Sequence, residues 1–147
     1  MNLTLNGHKA YAYTGGKPLD PTLPGIVMVH GALNDHSVWI QQSRDLAHHG
    51  QAGLAVDLPG HSKSGGEAPS TVEAAADFIA ALLDAASVQT AALVGHSWGS
   101  LIAMESAARL KDRVSHAVLV GTAFPMKVSP ALIEASMDLG ANGFQTF

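Results

Sequence analysis

The sequence predicts an α/β fold: a three-layer domain with a mostly parallel sheet, helices on both faces and a hairpin at its amino-terminal end. Three observations lead there. Short continuous apolar runs recur, as in strands covered on both faces. Each is followed by a stretch with helical spacing of its apolar residues. The alternation then repeats through short connections, the pattern of right-handed βαβ units. The 147 residues suit one domain, and a hydrophobic content of 47% is ample for a core.

Element by element, the reading starts with Leu3–Asn6 and Lys9–Thr14, separated by Asn6-Gly7 and closed by Gly15-Gly16, which predict a hairpin at a sheet edge. Pro18, Pro21 and Pro24 keep the chain extended as far as Gly25. Ile26-Val27-Met28-Val29 is the first buried strand and ends at His30-Gly31. Trp39–His49 reads as a helix with Gly50 just beyond it. Gly53–Val56 is the second strand, closing at Asp57-Leu58-Pro59-Gly60, and a polar loop follows over His61–Pro69. Ser70 and Glu73 form a capping-box pair for a helix whose Val72, Ala75, Ile79, Leu82, Leu83 and Ala86 share one face. Thr90–Val94 is the third strand, Trp98–Leu110 its helix, and Val114–Val120 a fourth strand ending at Gly121. Ser129-Pro130 opens one more helix. Trp39 and Met104 are expected in the core.

Composition narrows the partners. Eight Lys+Arg against 12 Asp+Glu give a net charge of −4 with no basic run, so a nucleic acid is not expected. The absence of cysteine removes disulfides, a thiolate nucleophile and Cys-ligated zinc. No apolar stretch approaches the roughly 20 residues of a membrane span, and the start lacks a secretion signal, so a cytoplasmic address is the expectation. Charged residues are only 14%, against about 25% in ordinary domains, which suggests that part of the surface is covered by something else.

The chemistry concentrates in Gly95-His96-Ser97-Trp98-Gly99, a Gly-x-Ser-x-Gly run between a predicted strand and a predicted helix. A serine attacks only when its hydroxyl is exposed, oriented and served by a base. A sharp strand-to-helix turn exposes it, and the crowding of such a turn leaves room for little beyond glycine at Gly95 and Gly99. The backbone N–H of Trp98, at the start of the helix, is one expected oxyanion donor; that of Ala32, in the His30-Gly31-Ala32 turn, is the other. No phosphate loop or dinucleotide fingerprint is present, and the reading needs neither cofactor nor metal.

Three segments together resemble the α/β-hydrolase superfamily in its esterase and lipase branch: His30-Gly31-Ala32 with Trp39, Asp57-Leu58-Pro59-Gly60-His61-Ser62-Lys63-Ser64, and Gly95-His96-Ser97-Trp98-Gly99-Ser100. Their order, from about Leu3 to about Phe124, follows the family's amino-terminal part. The resemblance implies an acyl-enzyme on Ser97, structural roles for His30, Gly31 and His96, and a small ester or related acyl compound as substrate. A serine at the elbow speaks against the dehalogenase and epoxide hydrolase branches, which place Asp there.

The family's triad continues with an acid and a histidine, and here the only later histidine is His116. His116 opens the fourth parallel strand at the amino edge, about 20 Å from the elbow for a six-residue strand, too far for a base. His36 or His61, oriented by Asp35 or Asp57, is an alternative. The simpler expectation is an amino-terminal portion, with residues 1–124 forming part of the core, 125–147 beginning a cap, and the acid and histidine lying beyond Phe147. On that reading Val114–Val120 is an open edge through which the chain self-associates. A non-catalytic binding fragment and an acyltransferase are the alternative functions.

Overall fold

The structure is a computed structural model and describes residues 1–123 and 125. Six strands form one sheet: β1 (Asn2–Leu5), β2 (His8–Tyr13), β3 (Gly25–Val29), β4 (Ala52–Asp57), β5 (Ala91–His96) and β6 (Val114–Val120). Their spatial order is β1-β2-β4-β3-β5-β6, with β3 to β6 parallel and the β1–β2 hairpin joined antiparallel to β4. The predicted three-layer α/β architecture is the observed one. The expected cap helix after Ser129 lies outside the described residues.

Register is what places the site. Val29 pairs with Val56 on one side and Gly95 on the other, and Gly95 pairs with Leu119. The carboxyl ends of the four parallel strands therefore finish in line, and the segments starting at His30, Leu58, Ser97 and Gly121 leave from the same edge. In open parallel sheets this edge is where ligands bind.

Alternation along β3 and β4 divides the core. Val27, Val29, Leu54 and Val56 are buried with Ile79, Leu82 and Leu83 of α2 (Val72–Ala85) and Leu101 and Ile102 of α3 (Trp98–Leu110). Met28 and Ala55 point the other way, against Trp39 and Leu46, the latter on α1 (Ile40–His48). Each fully buried aliphatic side chain contributes about 1.5–3 kcal/mol, so the α2 stripe alone anchors that layer.

Two local expectations change, the cap of α2 and the burial of Met104, and one segment that the sequence does not assign becomes defined. The residue capping α2 is Thr71, whose Oγ1 accepts the Ala74 N–H at 3.1 Å, and not Ser70 in a box with Glu73. The spacing to Glu73 points to Ser70, but Thr71 is an equally competent cap and the helix begins one residue later. The segment before α1 is a 3₁₀ turn over His36–Trp39, capped by Asp35 through the Ser37 N–H at 2.7 Å. Met104 is 45% exposed on the outer side of α3, whereas Trp39 is buried as expected. Among the described residues β6 is the outer strand, with Val118, Leu119 and Val120 all exposed. No helix of the described residues is long and apolar enough to cross a membrane.

Candidate active site

Ser97 occupies the bend between β5 and α3 with φ +53° and ψ −121°, a conformation that costs a non-glycine residue about 1–3 kcal/mol. The neighbouring glycines explain how the bend closes. A Cβ on Gly95 would stand 2.1 Å from the Gly99 carbonyl oxygen and 2.6 Å from the Ser100 Cα. One on Gly99 would stand 2.4 Å from the Val29 oxygen and 2.5 Å from the His30 oxygen. Backbone lies on backbone here, and no larger residue fits without moving a strand. The Ser97 N–H donates to the Val120 carbonyl at 2.8 Å and the Ser100 N–H to the Ser97 carbonyl at 2.9 Å, which ties the bend to β6 and to the first turn of α3. Trp98 is buried, while Ser97 and His96 are half-buried.

The turn after β3 touches this bend. A Cβ on Gly31 would come within 3.0 Å of the Ser97 Cβ and 3.2 Å of His96 Nδ1. His30, fully buried, sets the turn's orientation. Its Nε2 accepts the Leu58 N–H at 3.1 Å, so the proton sits on Nδ1, which donates to the Gly31 carbonyl at 2.7 Å. This network assigns a single neutral tautomer. Burial drives the His30 pKa down to about 4, opposed by the Gly31 hydrogen bond and by Asp57 and Asp35, and reinforced by His61. Because the peptide is trans and planar, fixing the Gly31 oxygen also fixes the Ala32 N–H on the opposite side of the same plane.

A second polar cluster secures the same edge. Asp57, fully buried at the end of β4, accepts the His36 N–H at 2.7 Å and His36 Nδ1 at 2.8 Å on Oδ1, and the Lys63 N–H at 3.1 Å on Oδ2. Ser64 donates from Oγ to the Asp57 carbonyl and accepts the Tyr11 N–H. Ligand atoms of Asp35, His36 and Asp57 lie within 4.8 Å of one another, spacing that a cation could use. Asp57 spends its oxygens on three N–H donors, however, so the cluster reads as a strut between the β3 and β4 loops.

The sequence-predicted residues Gly31, Gly95, His96, Ser97, Trp98 and Gly99 come together at one edge, and Ala32 and His30 adjoin them. His36 does not. Its ring packs on Tyr11 and Tyr13 of β2, at centroid distances of 4.9 and 6.0 Å. Strand β2 stands three positions from β5 in the sheet, about 14 Å, which removes His36 as a base for Ser97. His61 leans on the His30 ring at 5.1 Å, with Nδ1 2.9 Å from the Pro59 carbonyl. His116 is exposed on β6, opposite Ala92 at the amino side, where it was expected. Two clefts, of about 130 and 230 Å³, lie elsewhere: beside the amino end of β4, and between the hairpin and α2. Neither is lined by Ser97. Sequence reasoning missed the part of Asp57 and Ser64 as struts, although both belong to the Asp57–Ser64 run that carried the resemblance.

Comparison with known proteins agrees with the architecture. Residues 24–146 match the family described as alpha/beta hydrolase fold. Lipase LipV of Mycobacterium tuberculosis is 36% identical over 100 residues, covering 67% of this chain and 37% of that protein. A pimeloyl-[acyl-carrier protein] methyl ester esterase of Chromobacterium violaceum is 39% identical over 99 residues, with the same coverage of 67% and 37%. Among solved structures, a thermophilic esterase superposes with a TM-score of 0.75 at 25% identity, over 96% of this chain and 52% of its own. The chain thus spans little more than a third of the length of each of these two relatives. On the family match, the strand order and the esterase-like superposition, this chain belongs to the α/β-hydrolase family.

Proposed function

We propose that Ser97 is the nucleophile of a cofactor-independent hydrolase acting on small carboxylic esters or related acyl compounds. The carrying observation is the strained bend itself: Ser97 at φ +53°, walled by Gly95 and Gly99, with the Gly31 turn against its Cβ. Strain held this firmly at a strand-to-helix junction is a mark of a working site. Ser97 Oγ attacks the acyl carbon while its proton passes to a base. The oxygen of the tetrahedral intermediate takes up negative charge and receives the N–H groups of Ala32 and Trp98. The C–O bond to the alcohol then breaks, the base returns the proton to the leaving alcohol, and water repeats the sequence on the acyl-enzyme. Because the relatives extend well past the matched segment, the proposal assigns the base and its acid to sequence outside these 147 residues.

The test is hydrolysis of p-nitrophenyl esters by the full-length chain, with Ser97→Ala alongside. The variant is expected to lose at least about 10⁴-fold in kcat and to stop reacting with a fluorophosphonate. Retained activity or labelling in Ser97→Ala excludes Ser97 as nucleophile. Adding a thiol or alcohol acceptor measures how the acyl group divides between water and transfer.

A further inference from the structure

The turn after β3 contains a residue that its backbone does not explain. The Asn34 N–H donates to the Gly31 carbonyl at 3.3 Å, closing a four-residue turn over Ala32 and Leu33. Leu33 has φ +60°, and a turn with positive φ at its third residue asks for glycine or asparagine. Asn34 stands one position later, where its side-chain amide donates to the Ala32 carbonyl at 3.3 Å. Leu33 is the only aliphatic or aromatic residue with positive φ among the described residues.

Neither packing nor freedom accounts for it. Leu33 is 40% exposed and belongs to neither core cluster. It cannot relax, because the Gly31 carbonyl is held from two sides, by His30 Nδ1 and by the Asn34 N–H. The backbone strain is thus imposed by a turn that orients the Ala32 N–H, and a glycine there would carry none of it. What leucine adds is an apolar side chain held at the edge of the site. Two Cα–Cα steps of about 3.8 Å separate it from Gly31, which itself sits against Ser97.

We infer that Leu33 is a specificity-determining contact for an apolar chain on the ester substrate, so that the site favours medium-chain over acetyl-sized compounds. The inference rests on the hydrolase reading above and sharpens its substrate class. Each methylene that such a chain removes from water against Leu33 adds affinity, so the gain grows with chain length.

The full-length chain and its Leu33→Gly, Leu33→Met and Ser97→Ala variants are assayed on two series, p-nitrophenyl acyl esters and alkyl acetates, each from two to eight carbons. In Leu33→Gly, kcat/KM is expected to fall progressively with chain length, from about twofold at the short end to about tenfold at octyl, mainly through KM. Leu33→Met restores the long-chain preference. The series that shows the slope tells whether the acyl or the alcohol side meets Leu33. Thermal melts accompany the assays, and Leu33→Gly is expected within about 3 °C of the parent, since relieved strain offsets lost contact. A loss equal at every chain length, or a midpoint lower by more than about 5 °C, overturns the inference and makes Leu33 a structural residue. Ser97→Ala keeps the two failures apart: if it abolishes hydrolysis while the Leu33→Gly profile stays flat, only this inference falls.

Discussion

The two turns that meet at Ser97 are held by different forces. The bend over Gly95–Gly99 is shaped by exclusion: backbone presses on backbone, and the missing side chains of two glycines are the condition for it. The turn over His30–His36 is shaped by attraction, through His30 to Leu58, His36 to Asp57 and Asn34 to Gly31. A turn defined by exclusion tolerates almost no substitution yet is indifferent to pH. One defined by buried hydrogen bonds tolerates changes of shape but depends on the protonation of its partners. The edge at Ser97 thus joins a sterically fixed bend to a turn whose hydrogen bonds depend on the titratable His30.

The sharpest way to break this contrast is Gly99→Ala. Its Cβ would lie 2.4 Å from a strand carbonyl, and the cost is expected to reach at least about 5 kcal/mol, enough to unfold a domain of ordinary stability. Urea melts provide the measure, with Gly50→Ala as control: Gly50, unlike Gly99, has positive φ, but a Cβ there meets nothing within 4 Å, so only about 1 kcal/mol of backbone strain is expected. Equal losses in the two variants remove the exclusion argument.

Asp57→Ala tests the other turn. Two buried N–H groups of His36 and the partly buried Lys63 N–H lose their acceptor, for an expected cost of about 3–4 kcal/mol, whereas Asp57→Asn keeps one acceptor oxygen and costs less. If Asp57→Ala melts with the parent, something other than these hydrogen bonds holds the His30–His36 turn.

The smallest effect is also the most specific. His30 keeps its neutral form until about pH 4 in the folded chain, against 6.5 when unfolded. Between those values the unfolded state binds a proton that the fold refuses. The stability is therefore complete above pH 6.5 and declines as pH falls to about 4, by a total of about 3 kcal/mol from this residue. Denaturant melts at pH 7, 5.5 and 4 on the parent and His30→Asn show it as a slope present in the parent and reduced in the variant. Parallel slopes would show that His30 does not titrate as its burial demands.

The same contrast explains which features could be read from sequence. Gly95 and Gly99 around Ser97 carry their meaning locally, because a steric requirement at positions two before and two after is written in those positions. The strands were legible for a similar reason, since Ile26–Val29 and Gly53–Val56 show burial directly as continuous apolar residues. Asp57 and His36 are 21 residues apart; the sequence offered their pairing as one of four, and only the fold selects it and turns it away from Ser97. Leu33 gave no signal, because a leucine beside a glycine reads as ordinary until its φ is known. Thr71 displaced Ser70 as cap because the two offer the same chemistry one residue apart.

The order of strands has a consequence for synthesis on the ribosome. Strand β3 is the first of the parallel set to be made and sits in the middle of the sheet, between β4 and β5. Its second neighbour is complete only when His96 has emerged, so a growing polypeptide carries its most apolar strand with at least one bare flank for several seconds at about 5–20 residues per second. Slow translation across residues 30–96 lengthens that interval, during which the aliphatic run Ile26–Val29 lacks one of its two covering strands.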